Sequence, residues 1–166
     1  MLSDVTWHAL SPADASFFTT APIVHSYPVD LPVSPERVWQ QISSDESLSA
    51  WGLGVRLRWT SPVRDIGATR EVVLPLRTMS LRERFFRWDE GEGYSFFVEE
   101  ANRPLFTRFA EDYVIDKIAT GARFTWTIAF EPHPRLLRLF KLTDPINKIG
   151  FSLTPRAGKR YFAKHP

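Results

Sequence analysis

The fold is decided by residues 29–39, which read VDLPVSPERVW. Upstream of this stretch, residues 22–31 alternate apolar and polar side chains, which predicts a strand with one buried face. Ser34 is a favoured helix N-cap, and Pro35 suits the first helical turn because its missing N–H needs no partner there. The stretch therefore predicts a strand that passes almost directly into a short helix.

Further along the chain the pattern predicts one more short helix and then a long run of strands. Residues 44–51 resemble a second helix that ends at Gly52. Beyond it, turn-forming residues separate segments of strand character, which is typical of an antiparallel meander. The six predicted strands cover residues 55–61, 67–75, 79–88, 94–101, 107–117 and 121–131.

A helical period returns after Pro134 and continues almost to the end of the chain. Pro145 and Pro155 fall inside this region, and each removes a backbone donor. We therefore expect a helical C-terminus in two or three segments.

This order of elements resembles the helix-grip fold of the START-like superfamily, also called the polyketide cyclase/dehydrase or SRPBCC superfamily. Residues 29–39 are similar to its junction between the first strand and the first helix. Further similarities are GATR at 67–70, FRWDEG at 86–91 and GARFTW at 121–126. The resemblance implies an α+β fold, in which a seven-stranded curved antiparallel sheet wraps around a C-terminal helix and two short helices follow strand 1. It also implies an internal cavity for an apolar ligand, but no catalytic residue carries over.

The sequence predicts one domain with an N-terminal extension. No repeat, low-complexity tract or linker-like stretch divides its 166 residues. We assign residues 1–21 to the extension and residues 22–166 to the helix-grip domain. Ser11 followed by Pro12 predicts a short helix at about 12–18 in the extension.

Composition excludes several classes of function. The chain has no cysteine, so disulfides, thiolate metal sites and a cysteine nucleophile are excluded. It has no signal-peptide pattern and no apolar run of about 18 residues, so we expect a cytoplasmic protein without stable membrane insertion. Its four histidines are isolated and it lacks a dinucleotide fingerprint, so we expect neither a metal nor a cofactor.

The charges are spread along the chain rather than clustered. Lysine and arginine number 21 against 19 acidic residues, and the arginines alternate with apolar residues in the predicted strands. We place Arg70, Arg82, Arg84 and their neighbours on the solvated outer faces of strands. Nucleic acid is not expected as a partner, because no basic stripe is evident.

Strand alternation places aromatic side chains on one face of the last three predicted strands. Phe124, Trp126, Ile128 and Phe130 share a face of the last strand, and Glu100 shares the inward face of strand 94–101. A wall of this kind suits a flat or long apolar ligand, although aromatic side chains also fill ordinary cores. The predicted ligand-binding residues are Tyr94, Phe96, Phe109, Glu111, Tyr113, Phe124, Trp126 and Ile128.

Acid–base chemistry inside such a wall would need titratable side chains. The candidates are Glu83, Glu111, Tyr113 and His25, with Arg82 or Arg108 to orient an oxygen of the substrate. The alternative is that these charges form cross-strand ion pairs on the convex face.

Three functions follow from these observations. The leading hypothesis is a non-enzymatic carrier or sensor for a small hydrophobic molecule, such as a lipid, a fatty acid or a polyketide-like aromatic compound. The second is a polyketide cyclase or dehydratase working in the same cavity, and the third is a ligand-free interaction module.

The sequence fits a monomer or a homodimer. A basic cluster at residues 156–164 suits a membrane surface, an acidic partner or the dipole of a helix C-terminus.

Overall fold

An antiparallel sheet of eight strands curves around a long helix in the computed structural model, which describes residues 6–166. The first five residues of the predicted extension lie outside the described part. Seven strands follow one another across the sheet in the order β2-β8-β7-β6-β5-β4-β3. Their bounds are β1 His8–Ala9, β2 Ile23–Leu31, β3 Arg56–Trp59, β4 Thr69–Val73, β5 Ser80–Asp89, β6 Gly93–Ala101, β7 Phe106–Ile118 and β8 Gly121–Pro132.

Within residues 6–166, three α-helices and three short 3-10 helices complete the fold. The α-helices are α1 Phe17–Thr20, α2 Pro35–Ile42 and α3 Leu137–Lys164, and the 3-10 helices lie at Ser47–Trp51, Pro75–Arg77 and Pro134–Leu136. The predicted α+β helix-grip architecture and its seven strands are confirmed. The eighth strand, β1, comes from the extension.

The junction at residues 29–39 folds as the sequence predicts. Ser34 caps α2, because its hydroxyl oxygen accepts a hydrogen bond from the Arg37 amide at 3.3 Å. Val38 and Ile42 are then fully buried on the face of α2 that packs against the sheet. Helix α2 is therefore held by its cap at one end and by core packing along its length.

The predicted helix at about 12–18 is wrong, because α1 begins only at Phe17. Ser11 does not cap a helix. Its amide donates instead to the Thr107 carbonyl at 2.9 Å, while the Leu10 amide donates to the Glu99 carbonyl at 2.8 Å. Residues 8–11 are therefore extended and hydrogen-bonded to both β6 and β7, since β1 pairs with the end of β6.

The predicted breaks in the C-terminal helix are also wrong, because α3 continues through Pro145 and Pro155. Each proline costs a backbone hydrogen bond. Packing compensates, since aromatic rings hold the helix to the rest of the core along its length. These contacts pair Phe140 with Phe130 at 5.7 Å between ring centroids, Phe151 with Trp126 at 6.2 Å and Phe162 with Trp51 at 6.2 Å.

A bulge in β6 overturns the inward placement of Glu100. Glu83 pairs with Val98 while Arg82 pairs with Glu100, which leaves Glu99 as an extra residue in β6. Glu99 and Glu100 therefore both lie on the outer face, where they bind Arg84 and Arg82. Alternation resumes on the inner face, the face toward α3, at the buried Ala101.

Candidate functional site

A cavity of about 470 Å³ lies between the inner face of the sheet and the middle of α3. Pockets of roughly 300–1,000 Å³ are typical of small-molecule sites. The walls are mainly aliphatic and aromatic. They are contributed by β3 to β8, by residues 48–55, by the segment after β4 and by residues 150–154 of α3.

Exposed residues among the lining mark the mouth of this cavity. Pro75, after β4, and Gly150 and Leu153, on α3, line the cavity and are also open to solvent. The opposite walls come from central strands whose inner faces are buried. A ligand would therefore enter between the β4–β5 segment and α3.

Six of the eight predicted ligand-binding residues line the cavity. They are Phe96, Phe109, Glu111, Tyr113, Trp126 and Ile128. Tyr94 and Phe124 lie on the same face of the sheet but pack into the core beside the cavity. The Tyr94 hydroxyl donates to the Ile42 carbonyl at 3.1 Å, and Phe124 meets the Trp51 ring edge-on at 5.8 Å. The ligand-binding role of all eight stays a prediction.

A buried ion pair between Arg70 of β4 and Glu83 of β5 lies in the cavity wall. Arg70 Nε donates to Glu83 Oε2 at 2.5 Å, and the two residues are 2% and 3% exposed. The guanidinium also lies 4.5 Å from the ring centre of Phe96 and 4.9 Å from that of Phe85. Burial raises the pKa of Glu83, and the Arg70 charge counteracts this rise. The pair thus puts charged atoms into an otherwise apolar wall.

The placement of Arg70 on a solvated outer face is therefore wrong. Arg70 shares its strand face with Val72, and Glu83 shares its face with Leu81 and Phe85, all buried. The two charges lie directly opposite each other in the β4–β5 register. Opposite charges at inward positions of neighbouring strands were the signal in the sequence that could have identified this pair.

Glu111 is the second polar group of the cavity wall. Its Oε2 accepts hydrogen bonds from the Tyr113 hydroxyl and from Trp126 Nε1, both at 2.8 Å. Burial, with a smaller contribution from the Glu83 charge, raises the pKa of Glu111 to about 7. Burial and the Glu111 charge raise the pKa of Tyr113 well above its usual range. Glu111 can therefore hold or release a proton near neutral pH.

The remaining acid–base candidates lie outside the cavity lining. His25 is buried between β2 and α3, with its Nε2 at 2.9 Å from Asp144 Oδ1. Arg82 binds Glu71 and Glu100 on the outer face of the sheet. Arg108 lies over the Phe17 ring of α1, 5.2 Å from its centre. The structure thus brings Glu83, Glu111 and Tyr113 together in the cavity lining and places the other three candidates outside it.

Strand alternation could not identify the lining outside the sheet. Leu53 and Val55 precede β3, while Phe151 and Leu153 come from α3. Phe140 and Phe151 are separated by three helical turns and both pack against the core, which indicates the buried side of α3 but not which of its residues line the cavity.

Neither a metal site nor a membrane span is evident in residues 6–166. No three His, Asp or Glu side chains there are grouped as metal ligands would be. None of the helices in this part of the chain has both the length and the apolar character needed to cross a bilayer.

The curved sheet, the gripped helix and the cavity define a helix-grip protein. A family model described as "Polyketide cyclase / dehydrase and lipid transport" matches residues 23–148, and the chain belongs to this family. Uncharacterized proteins of Mycobacterium tuberculosis (strain H37Rv) and Mycobacterium bovis are each 30% identical over 115 residues, which cover 69% of this chain and 69% of theirs.

Solved structures show the same fold. The Thermus thermophilus protein TTHA0849 superposes with a TM-score of 0.70 at 18% identity, covering 86% of this chain and 99% of its own. The major latex-like protein 151 of Panax ginseng gives a TM-score of 0.67 at 13% identity, covering 84% and 97%. The predicted superfamily is therefore confirmed by the family match, and these structures share its fold.

The raised pKa of Glu111 predicts how stability depends on pH. An unfolded glutamate releases its proton near pH 4.3, whereas the folded protein keeps this proton until about pH 7. Between these values the folded state binds the extra proton, so stability falls as pH rises and levels off above about 7. The loss amounts to roughly 4 kcal/mol.

Urea unfolding of the wild type and Glu111→Gln at about pH 4 and about pH 8 measures this effect. Glutamine keeps an oxygen acceptor for Tyr113 and Trp126 but cannot ionise. We expect the free energy of unfolding of the wild type to fall relative to that of the variant as pH rises. A difference in unfolding free energy between wild type and variant that stays constant with pH would contradict the raised pKa of Glu111.

Proposed function

We propose that the protein binds a small hydrophobic molecule in the cavity, as a carrier or sensor. The observation that carries this proposal is the volume of about 470 Å³ behind predominantly apolar walls. Protein interiors are close-packed and contain few voids larger than a water molecule. An apolar space of this size that opens to solvent at one side is therefore suited to an organic molecule, whose binding removes apolar surface of both partners from water.

The walls favour an organic molecule over water as that occupant. Water in a cavity needs two to four polar partners, and most of the lining side chains are apolar; the exceptions are Arg70, Glu83, Glu111, Tyr113 and Thr154. The rest of the surface offers contacts to carbon. The same volume argues against a ligand-free interaction module, in which side chains would fill the interior.

The family description points in the same direction. It pairs cyclase and dehydrase chemistry with lipid transport, and both involve a hydrophobic molecule held inside a protein. A carrier or sensor requires only the cavity and its mouth. It therefore requires no catalytic side chain.

A second candidate function, a cyclase or dehydratase, is favoured by Glu111. A carboxylate with a pKa of about 7 suits a general base that removes a proton from a carbon beside a carbonyl group. The Arg70 guanidinium, in the same wall, would stabilise the enolate oxygen formed when the C–H electron pair moves onto the carbonyl. Reprotonation, or loss of a β-hydroxyl as water with the proton held by Glu111, completes the step.

Ligand binding is tested by filling the cavity. Val72 lines it, whereas Val73, the next residue of β4, points to the other face. We expect Val72→Phe to weaken binding of the neutral fluorescent probe N-phenyl-1-naphthylamine by about tenfold or more, and Val73→Phe to leave it within about twofold. Fluorescence titration measures both affinities. Equal binding by the two variants would place the probe elsewhere.

Native mass spectrometry of protein purified from its own host then identifies the occupant. A bound hydrophobic molecule that is absent from Val72→Phe supports the carrier or sensor. Recovery of protein without any ligand from several hosts contradicts a tight carrier.

The enzyme candidate is tested by proton exchange. If Glu111 is a base for carbon acids, the wild type accelerates exchange of the hydrogens beside the carbonyl of a bound ketone such as 2-dodecanone in deuterated water. Glu111→Gln lowers this rate by about a hundredfold or more, as expected for loss of a general base. NMR follows the exchange. A rate equal to that in buffer alone excludes this chemistry for that ketone.

A further inference from the structure

We infer that the ligand carries a neutral hydrogen-bond acceptor, such as a ketone or ester carbonyl, which Arg70 binds in the wall of the cavity. This inference rests on the proposed ligand-binding function and specifies the class of ligand. It depends on the unused donors of Arg70 and on the balance of charge around them.

The guanidinium of Arg70 has donors without partners. Arginine carries five N–H donors, yet within residues 6–166 Arg70 donates one hydrogen bond, from Nε to Glu83. Its Nη1 is buried without any partner in that part of the chain, whereas its Nη2, which also makes no hydrogen bond there, is not sealed off. The residue is 2% exposed and lines the cavity. An acceptor atom on the ligand would satisfy donors that the protein leaves free.

The charge balance favours a neutral acceptor. Glu83 already neutralises Arg70, and Glu111 lies in the same wall. A carboxylate ligand would add a negative charge close to two carboxyl groups in an apolar surrounding, where an uncompensated charge is costly. The raised pKa of Glu111 reflects the same resistance to negative charge. A carbonyl oxygen supplies an acceptor without that cost, which argues against a fatty-acid anion.

The test needs a variant that removes Arg70 without leaving a buried charge. Arg70→Met alone would strand Glu83, and loss of one partner of a buried ion pair is strongly destabilising. The double variant Arg70→Met/Glu83→Leu replaces both charges by apolar groups of similar size, a change that is often neutral or stabilising. Arg82→Met, on the outer face, is the matched control.

Three probes of equal chain length separate the contributions: 2-dodecanone, dodecane and dodecanoate. Each is titrated against wild type and double variant by displacement of N-phenyl-1-naphthylamine, so the hydration of each probe cancels in the ratio of affinities. We expect the double variant to lose about tenfold in affinity for 2-dodecanone, since hydrogen bonds to charged groups are strong, and to bind dodecane within about twofold of the wild type. Arg82→Met retains all affinities.

Two results would overturn the inference while leaving the proposed function intact. One is an equal affinity of wild type and double variant for 2-dodecanone. The other is tightest binding of dodecanoate by the wild type. Failure of wild type to bind any of the three probes or N-phenyl-1-naphthylamine would instead contradict the proposed function.

A separate observation concerns the outer side of α3, for which we propose docking onto an anionic lipid surface. Five large apolar side chains, each 52–80% exposed, lie at intervals of three or four residues along one line of the helix. We call this line the α3 stripe, and its members are Leu139, Leu142, Ile146, Ile149 and Leu153. Exposed apolar patches of this extent mark interaction surfaces.

The charges of α3 indicate that the partner of the α3 stripe is anionic. The helix contains seven basic residues and one acid, Asp144, whose two carboxylate oxygens contact His25 and Lys148. The exposed Arg138, Lys141 and Lys148 accompany the stripe. A second copy of this helix would bring basic edges together, whereas a membrane with anionic headgroups complements both the apolar line and the basic edges.

The α3 stripe also reaches the mouth of the cavity. Leu153 belongs to the stripe and lines the cavity, and Pro75 on the β4–β5 segment precedes Leu76, which is 96% exposed. Apolar side chains thus continue from the proposed membrane contact to the cavity entrance. This arrangement would let a hydrophobic molecule pass between bilayer and cavity with little exposure to water.

Vesicle sedimentation tests this docking. We expect the full chain to bind phosphatidylglycerol/phosphatidylcholine vesicles and to bind pure phosphatidylcholine vesicles about tenfold more weakly, with the difference shrinking at high salt. Ile146→Gln/Ile149→Gln should lower binding to the anionic vesicles about tenfold. The control Val63→Gln/Ile66→Gln changes two side chains that are each 67% exposed on the β3–β4 loop and should bind within about twofold of the wild type.

Equal binding by the two double variants would overturn the proposal. So would a dimer in light scattering that Ile146→Gln/Ile149→Gln dissociates, because a second copy would then cover the α3 stripe. Equal binding to both vesicle types would contradict the proposed attraction between the basic residues and anionic headgroups.

Discussion

The ion pair between Arg70 and Glu83 is the constraint on which the interior of this protein depends. Two charges buried in apolar surroundings are stable only while each keeps the other as a partner. Their strands, β4 and β5, must therefore stay in one register, which also fixes the positions of Val72 and Leu81 in the cavity wall. The rings of Phe85 and Phe96 pack on the guanidinium and hold it in place.

Much of the fold follows from local sequence signals. The cap at Ser34, the alternation in β6 to β8 and the turn residues between strands predicted the element order and the inner face of the sheet. Local signals failed where tertiary contacts decided the outcome. The extra residue at Glu99 shifts Glu100 to the outside, and aromatic packing carries α3 through Pro145 and Pro155. None of these effects can be calculated from the periodicity of one segment.

The candidate site was predictable to a smaller extent. Alternation identifies which side chains face inward, but it does not say how far along a strand a cavity reaches. Tyr94 and Phe124 therefore resembled lining residues, although α2 and Trp51 cover them. Arg70 was misplaced for a different reason, since arginine is seldom buried without a partner. That partner, Glu83, became evident only from the pairing of two strands.

The short strand β1 has a consequence for the sheet that covers the cavity. Pairing between β6 and β7 involves only residues 93–97 and 110–114, so the two strands separate beyond Phe97. Residues 8–11 fill this split and bond to both strands. Without them, two stretches of unpaired backbone would face solvent and could pair with strands of other molecules. The N-terminal segment thus satisfies backbone groups that the split between β6 and β7 would otherwise leave unpaired.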